Sequence, residues 1–100
     1  MSAPSVSVRV PGSLRQYTAG EPALAVEVAA LGDQPTVGAL LDHLAASHPD
    51  LERRVRDEQR CLRRHVNVFR GTENVRDLDE QRTPVAAGDE VAIVPAVSGG

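Results

Sequence analysis

Residues Gly88 to Gly100 read GDEVAIVPAVSGG: a turn, four consecutive apolar residues, a proline, and small residues that close on two glycines. The Ala87-Gly88-Asp89 turn signal followed by Val91-Ala92-Ile93-Val94 predicts a strand. An uninterrupted apolar run of this length suits a central strand buried on both faces. Pro95 has a fixed φ and would launch the residues after it away from the sheet. Gly99 and Gly100 carry no Cβ, so they are slim and tolerate backbone conformations closed to other residues. Five residues beyond Pro95 reach at most about 17 Å at about 3.3 to 3.6 Å each. A plain Gly-Gly end is otherwise weak evidence, since an unstructured stub can carry any polar or small residue. What precedes it decides.

Outward from that stretch, hydrophobic periodicity sets the other elements. SVSVRV places Val6, Val8 and Val10 on one face, and LAVEV does the same for Leu24, Val26 and Val28, so both read as half-buried strands. The Pro- and Gly-containing loop between them makes a long-looped hairpin. The period then changes: Val37, Leu40, Leu41 and Leu44 form the stripe of an amphipathic helix, with Thr36 as N-cap and Pro49 as its limit. Leu51 to His65 is polar and Arg-rich, and reads as a short second helix or helical turn leading into a loop. Val66 and Val68 alternate in a further strand, and RGTENV reads as a turn. The order predicts an α+β domain, a mixed sheet with one main helix packed across it. If the first and last strands are neighbours, the last lies mid-sheet.

Composition bounds the function. One hundred residues with 41% hydrophobic and 25% charged content make one folded domain. With no Trp, one Tyr (Tyr17) and one Phe (Phe69), its core must be aliphatic. A net charge of −3 and the shortage of aromatic stacking platforms argue against nucleic-acid binding. No apolar segment approaches membrane-spanning length and the N-terminal residues do not resemble a leader, so the expectation is a cytoplasmic protein with no membrane partner. The lone Cys61 can form no intramolecular disulfide, as suits a reducing compartment.

Other candidate chemistry is thin. His43, His48 and His65 have no Cys or carboxylate in a metal-binding spacing, so no metal site is expected. Cys61 sits among Arg60, Arg63 and Arg64, which favour a thiolate, but no base or partner accompanies it. Arg53, Arg54, Arg56, Arg60, Arg63 and Arg64 could dock an acidic partner; Glu52, Asp57 and Glu58 are interleaved among them, and a solvated, internally paired face is the expectation. Phe69 falls on the strand face opposite Val66 and Val68, either as a partner-binding anchor or packed beneath a neighbouring segment.

The combination of HVNVFRGTENVRDL, TPVAAGDEVAIVPAV and the final GG resembles the MoaD/ThiS group of sulfur carrier proteins. The resemblance runs along the whole chain in element order and is strongest from Val66 to Gly100. It implies a ubiquitin-like β-grasp fold, with residues 1–95 as the domain and 96–100 as a flexible C-terminal tail. It also implies a protein co-substrate rather than an enzyme, a monomer when alone and with no cofactor of its own. A partner activating enzyme would use ATP to adenylate the Gly100 carboxylate, which would then become a thiocarboxylate. Val97, Ser98 and Gly99 would be the tail that enters enzyme channels, and a second, sulfur-acceptor enzyme would take the sulfur. The acceptor could serve molybdopterin, cysteine, thiazole or thiosugar biosynthesis, and the look of the chain is closest to the molybdopterin- and cysteine-type carriers. The alternative is a ubiquitin-like modifier or interaction module joined to other proteins through Gly100.

All 11 basic residues are Arg, so the chain offers no ε-amine. Should it modify proteins, tandem mass spectrometry of its conjugates will find no isopeptide bond to a side chain within residues 1–100. One such bond would refute this.

Overall fold

A computed structural model describes residues 3–95. The expectations placed on residues 96–100, including Val97, Ser98, Gly99 and Gly100, lie outside them. The five strands are β1 (Ser5–Arg9), β2 (Ala23–Glu27), β3 (Val66–Arg70), β4 (Glu73–Asn74) and β5 (Glu90–Pro95). Two helices, α1 (Val37–Ser47) and α2 (Pro49–Val55), lie between β2 and β3. The sheet order is β2-β1-β5-β3-β4, with β1 parallel to β5 and all other pairs antiparallel. This is the β-grasp arrangement, and β5 occupies the predicted middle position.

The Gly88-Asp89 turn sets β5 beside β1. Gly88 adopts φ 89°, open to glycine at little cost. Its N–H donates to Ser5 O at 2.9 Å, and Ser7 N–H donates to Asp89 O at 3.0 Å. The Asp89 carboxylate closes the turn by accepting from Ala86 N–H at 2.8 Å. The parallel register then aligns Val8 with Val91 on one face.

That face carries the core. Val6, Val8, Val66, Val68, Val91 and Ile93 from the sheet meet Val37, Leu40, Leu41 and Leu44 of α1, each at most 4% exposed. The Thr36 cap forms as expected, its hydroxyl accepting from Ala39 N–H at 3.1 Å. Pro49 has two roles: α1 stops at Ser47, and the proline takes the first turn of α2, where its missing N–H costs nothing. Leu51 and Val55 of α2 are buried against α1.

Three expectations change. RGTENV is more than a turn, because Arg70 pairs with Glu73 and Phe69 with Asn74, adding the two-residue edge strand β4. The second helix begins at Pro49 and ends at Val55, so the segment from Arg56 to His65 is loop. VAIV is central but covered on one side only: Val91 and Ile93 are buried while Val94 is 40% exposed. Both helices pack on the same face, which leaves the other open.

Replacing Ile93 with Ala should therefore cost about 2 to 5 kcal/mol, as a deleted core side chain does, whereas Val94→Ala should change stability by about 0.5 kcal/mol or less. Urea unfolding of the two variants checks the contrast, and equal losses would contradict a one-sided β5.

Candidate functional site

The site lies where β5 ends. Its register with β3 pairs Asn67 with Val94 and Val66 with Pro95, so the chain leaves the described fold beside the start of β3. Because β1 is parallel to β5, the end of β1 lies on that side too. Pro95 thus ends a strand that is paired on both sides.

Phe69 lies on the open face, as strand alternation predicts. It pairs with Ala92 on one side and Asn74 on the other, and is half-buried. Val94 sits diagonally from it on the same face. Phe69, Ala92 and Val94 form a small apolar strip along β3 and β5 that no helix covers, and it leads to Pro95. Such a strip is a fit anchor for a partner.

The other candidates separate. His43 is exposed on α1, His48 joins the two helices, and His65 precedes β3. Among the described residues no group of three or more His, Cys, Asp or Glu is placed to hold a metal ion. Cys61 is exposed in the loop after α2, where the Asp57 carboxylate accepts its N–H at 3.0 Å. Among the described residues no helix is long and apolar enough to cross a membrane.

The Arg-rich segment is not one solvated face. Arg56 is 2% exposed. Its Nε donates to both Glu52 carboxylate oxygens at 2.9 and 3.0 Å, and Nη1 donates to Gln81 Oε1 at 3.0 Å. Nη2 lies 2.7 Å from Glu52 Oε2 and 2.9 Å from Asp42 Oδ1, but off the line of a directed hydrogen bond. Burial opposes the charge, but hydrogen bonds and the charges of Glu52 and Asp42 outweigh it and hold the guanidinium above its ordinary pKa. Arg60 shares Asp42 at 3.0 Å. Arg56 therefore ties α1, α2 and the turn at Glu80–Arg82 together. No pattern local to residues 53–64 signals this, because Asp42 and Gln81 are distant in sequence.

A β-grasp sheet whose central strand delivers the chain's last residues defines a small ubiquitin-like protein. The sequence profile of the ThiS family matches residues 8–100, and the chain belongs to that family. The sulfur carrier protein CysO of Mycobacterium tuberculosis is 37% identical over 98 residues, spanning 96% of this chain and 99% of the relative. The crystal structure of small archaeal modifier protein 1 from Haloferax volcanii superposes with a TM-score of 0.78 at 36% identity, over 96% of this chain and 99% of the other. A chain of the Amycolatopsis orientalis BexX/CysO complex does so with a TM-score of 0.78 at 34% identity, over 95% and 99%.

Arg56→Ala should destabilise the fold by about 2 to 3 kcal/mol, toward the low end for a broken buried pair because Glu52 and Asp42 can still reach water. Arg56→Lys should recover little, since an ammonium cannot meet Glu52, Asp42 and Gln81 together. Thermal melting of both variants checks this, and full recovery by Lys would show that charge alone suffices.

Proposed function

We propose that this chain is a sulfur carrier whose working group is the Gly100 carboxylate. A carboxylate is a poor electrophile. In the first step its oxygen attacks the α-phosphate of ATP on a partner activating enzyme, releasing pyrophosphate and leaving an acyl-adenylate. A sulfide-level nucleophile then attacks the carbonyl carbon, and AMP departs with the bonding pair. The product, a thiocarboxylate, is ionised at neutral pH and gives up its sulfur to an acceptor in a second enzyme. The chain contributes no catalytic side chain to these steps and acts as a co-substrate.

The reading is carried by family membership that extends through Gly100, on a fold whose last described strand is the central one. A tail that must enter two enzymes needs a rigid base and a narrow tip. Strand β5 supplies the base, and Gly99 and Gly100 have no side chain to widen the tip. The strip of Phe69, Ala92 and Val94 is the face we assign to the activating enzyme, since it runs along the same strand toward Pro95. Similarity to CysO supports the carrier over the modifier and points to cysteine biosynthesis as the first acceptor to try. Similarity to the archaeal modifier keeps conjugation through Gly100 as the second reading. Both share the adenylation step and differ in whether sulfur or an amine takes the acyl group.

Incubation with the activating enzyme, ATP and a sulfide source should add the mass of one oxygen-for-sulfur exchange at Gly100. Deleting Gly100 or adding a residue after it should abolish the change without unfolding the protein, because β5 ends at Pro95. Gly99→Val should fold but react poorly, since a β-branched side chain widens the tail and narrows its backbone choices. Sulfuration of the extended chain at the unmodified rate, with trimming excluded by mass, would overturn the carrier reading.

A further inference from the structure

Beside Pro95 lies a second feature, separate from the open sheet face. Tyr17 ends the helical turn after β1, α2 contributes Asp50, Arg53 and Arg54, and Arg63 and His65 come from the approach to β3. These six residues line an open groove of about 420 Å³. Because β1 and β5 end on one side of the sheet and Val66 pairs with Pro95, the groove flanks the point where the chain leaves the described fold.

The groove is firmly built. Arg63 N–H donates to Val55 O at 3.0 Å, its carbonyl accepts from Arg76 Nη2 at 2.8 Å, and its own Nε donates to Arg53 O at 2.7 Å. The Arg54 guanidinium lies 5.2 Å from the Tyr17 ring centroid, a stacking distance. It is also positive. Arg53 approaches Asp50 only to 3.4 Å, with both side chains more than two-thirds exposed. Among the described residues Arg54 and Arg63 make no salt bridge, whereas Arg56 and Arg60 are matched by Glu52 and Asp42. A chain of net charge −3 thus gathers uncompensated positive charge at one place, next to its exit.

We propose that this groove docks an acidic segment of the activating enzyme, orienting the carrier as its tail enters. The identity of the partner rests on the carrier reading. The chemistry rests on the groove: guanidinium forks pair carboxylates in two-point contacts, and charge outside the main contact steers encounter and sets register. The groove is the size of a small-molecule cleft, but its open, charged walls would not enclose a metabolite. Nucleic acid fits worse, since the chain is acidic overall and Tyr17 already lies under Arg54.

Titration of the isotope-labelled protein with a short peptide of Asp and Glu should shift the amides of residues 17, 50–54 and 63–65, and less so as salt rises. The double variant Arg54→Ser, Arg63→Ser should weaken binding about tenfold, the scale of two exposed ion pairs, while Arg82→Ser leaves it unchanged. In the activation reaction the double variant should raise KM for the carrier by a similar factor at constant kcat, and added salt should erase the difference. Shifts spread evenly over all arginines, an unchanged KM, or tighter binding of a short oligonucleotide to the same residues would overturn the proposal. Peptide binding involves no sulfur chemistry. Failure of the intact protein to be activated would therefore count against the carrier reading and leave the groove to be judged by the titration.

Discussion

The parallel pairing of β1 with β5 joins segments separated by more than 80 positions, and the other elements are arranged around it. Closing so long a loop costs entropy before any contact repays it. The Gly88-Asp89 turn fixes the register once the two segments meet, because its bonds to Ser5 and Ser7 set where β5 begins along β1. Once β5 is seated, β2 and β3 extend the sheet on either side and α1 covers one face. The same pairing orients the end of β5, so the constraint that completes the core also fixes the position of Pro95 beside the start of β3.

Packing on the helical side is aliphatic and close. At Gly38 a Cβ would sit 3.1 Å from the Gln81 carbonyl oxygen, so α1 and the turn at Glu80–Arg82 approach so closely that a side chain there would require the turn to shift by a few tenths of an ångström. Arg56 spans the same region from α2, and its bonds to Glu52 and Gln81 replace the water that burial removes.

Regular elements were legible wherever periodicity was strong. Val6 and Val8 marked β1, though Val10, read with them, is buried just past the strand's end, and the stripe from Val37 to Leu44 marked α1 with its Thr36 cap. The alternation of Val66, Val68 and Phe69 also placed Phe69 on the correct face. Strand β4 was not legible because two residues carry no period. VAIV misled because an apolar residue on an uncovered face looks like a buried one until the number of layers is known. Arg56 was hidden by its neighbours, since residue type alone cannot distinguish the one arginine in the segment that is buried. The groove required topology, for only the parallel crossover brings Tyr17, α2 and His65 to one end. The Gly99-Gly100 motif was read from the sequence and lies outside the described residues.

Strands β2 and β4 form the two margins of the sheet, and they are poor templates for a foreign strand. Strand β4 offers two residues before the chain turns away at Val75. Strand β2 is preceded by Pro22, finishes at the charged Glu27 and passes into another helical turn at Val28. Short, charged and interrupted edges resist intermolecular sheet extension. A protein that leaves Phe69 and Val94 uncovered on its open sheet face thereby still has little backbone to offer a neighbouring copy, a protection against aggregation.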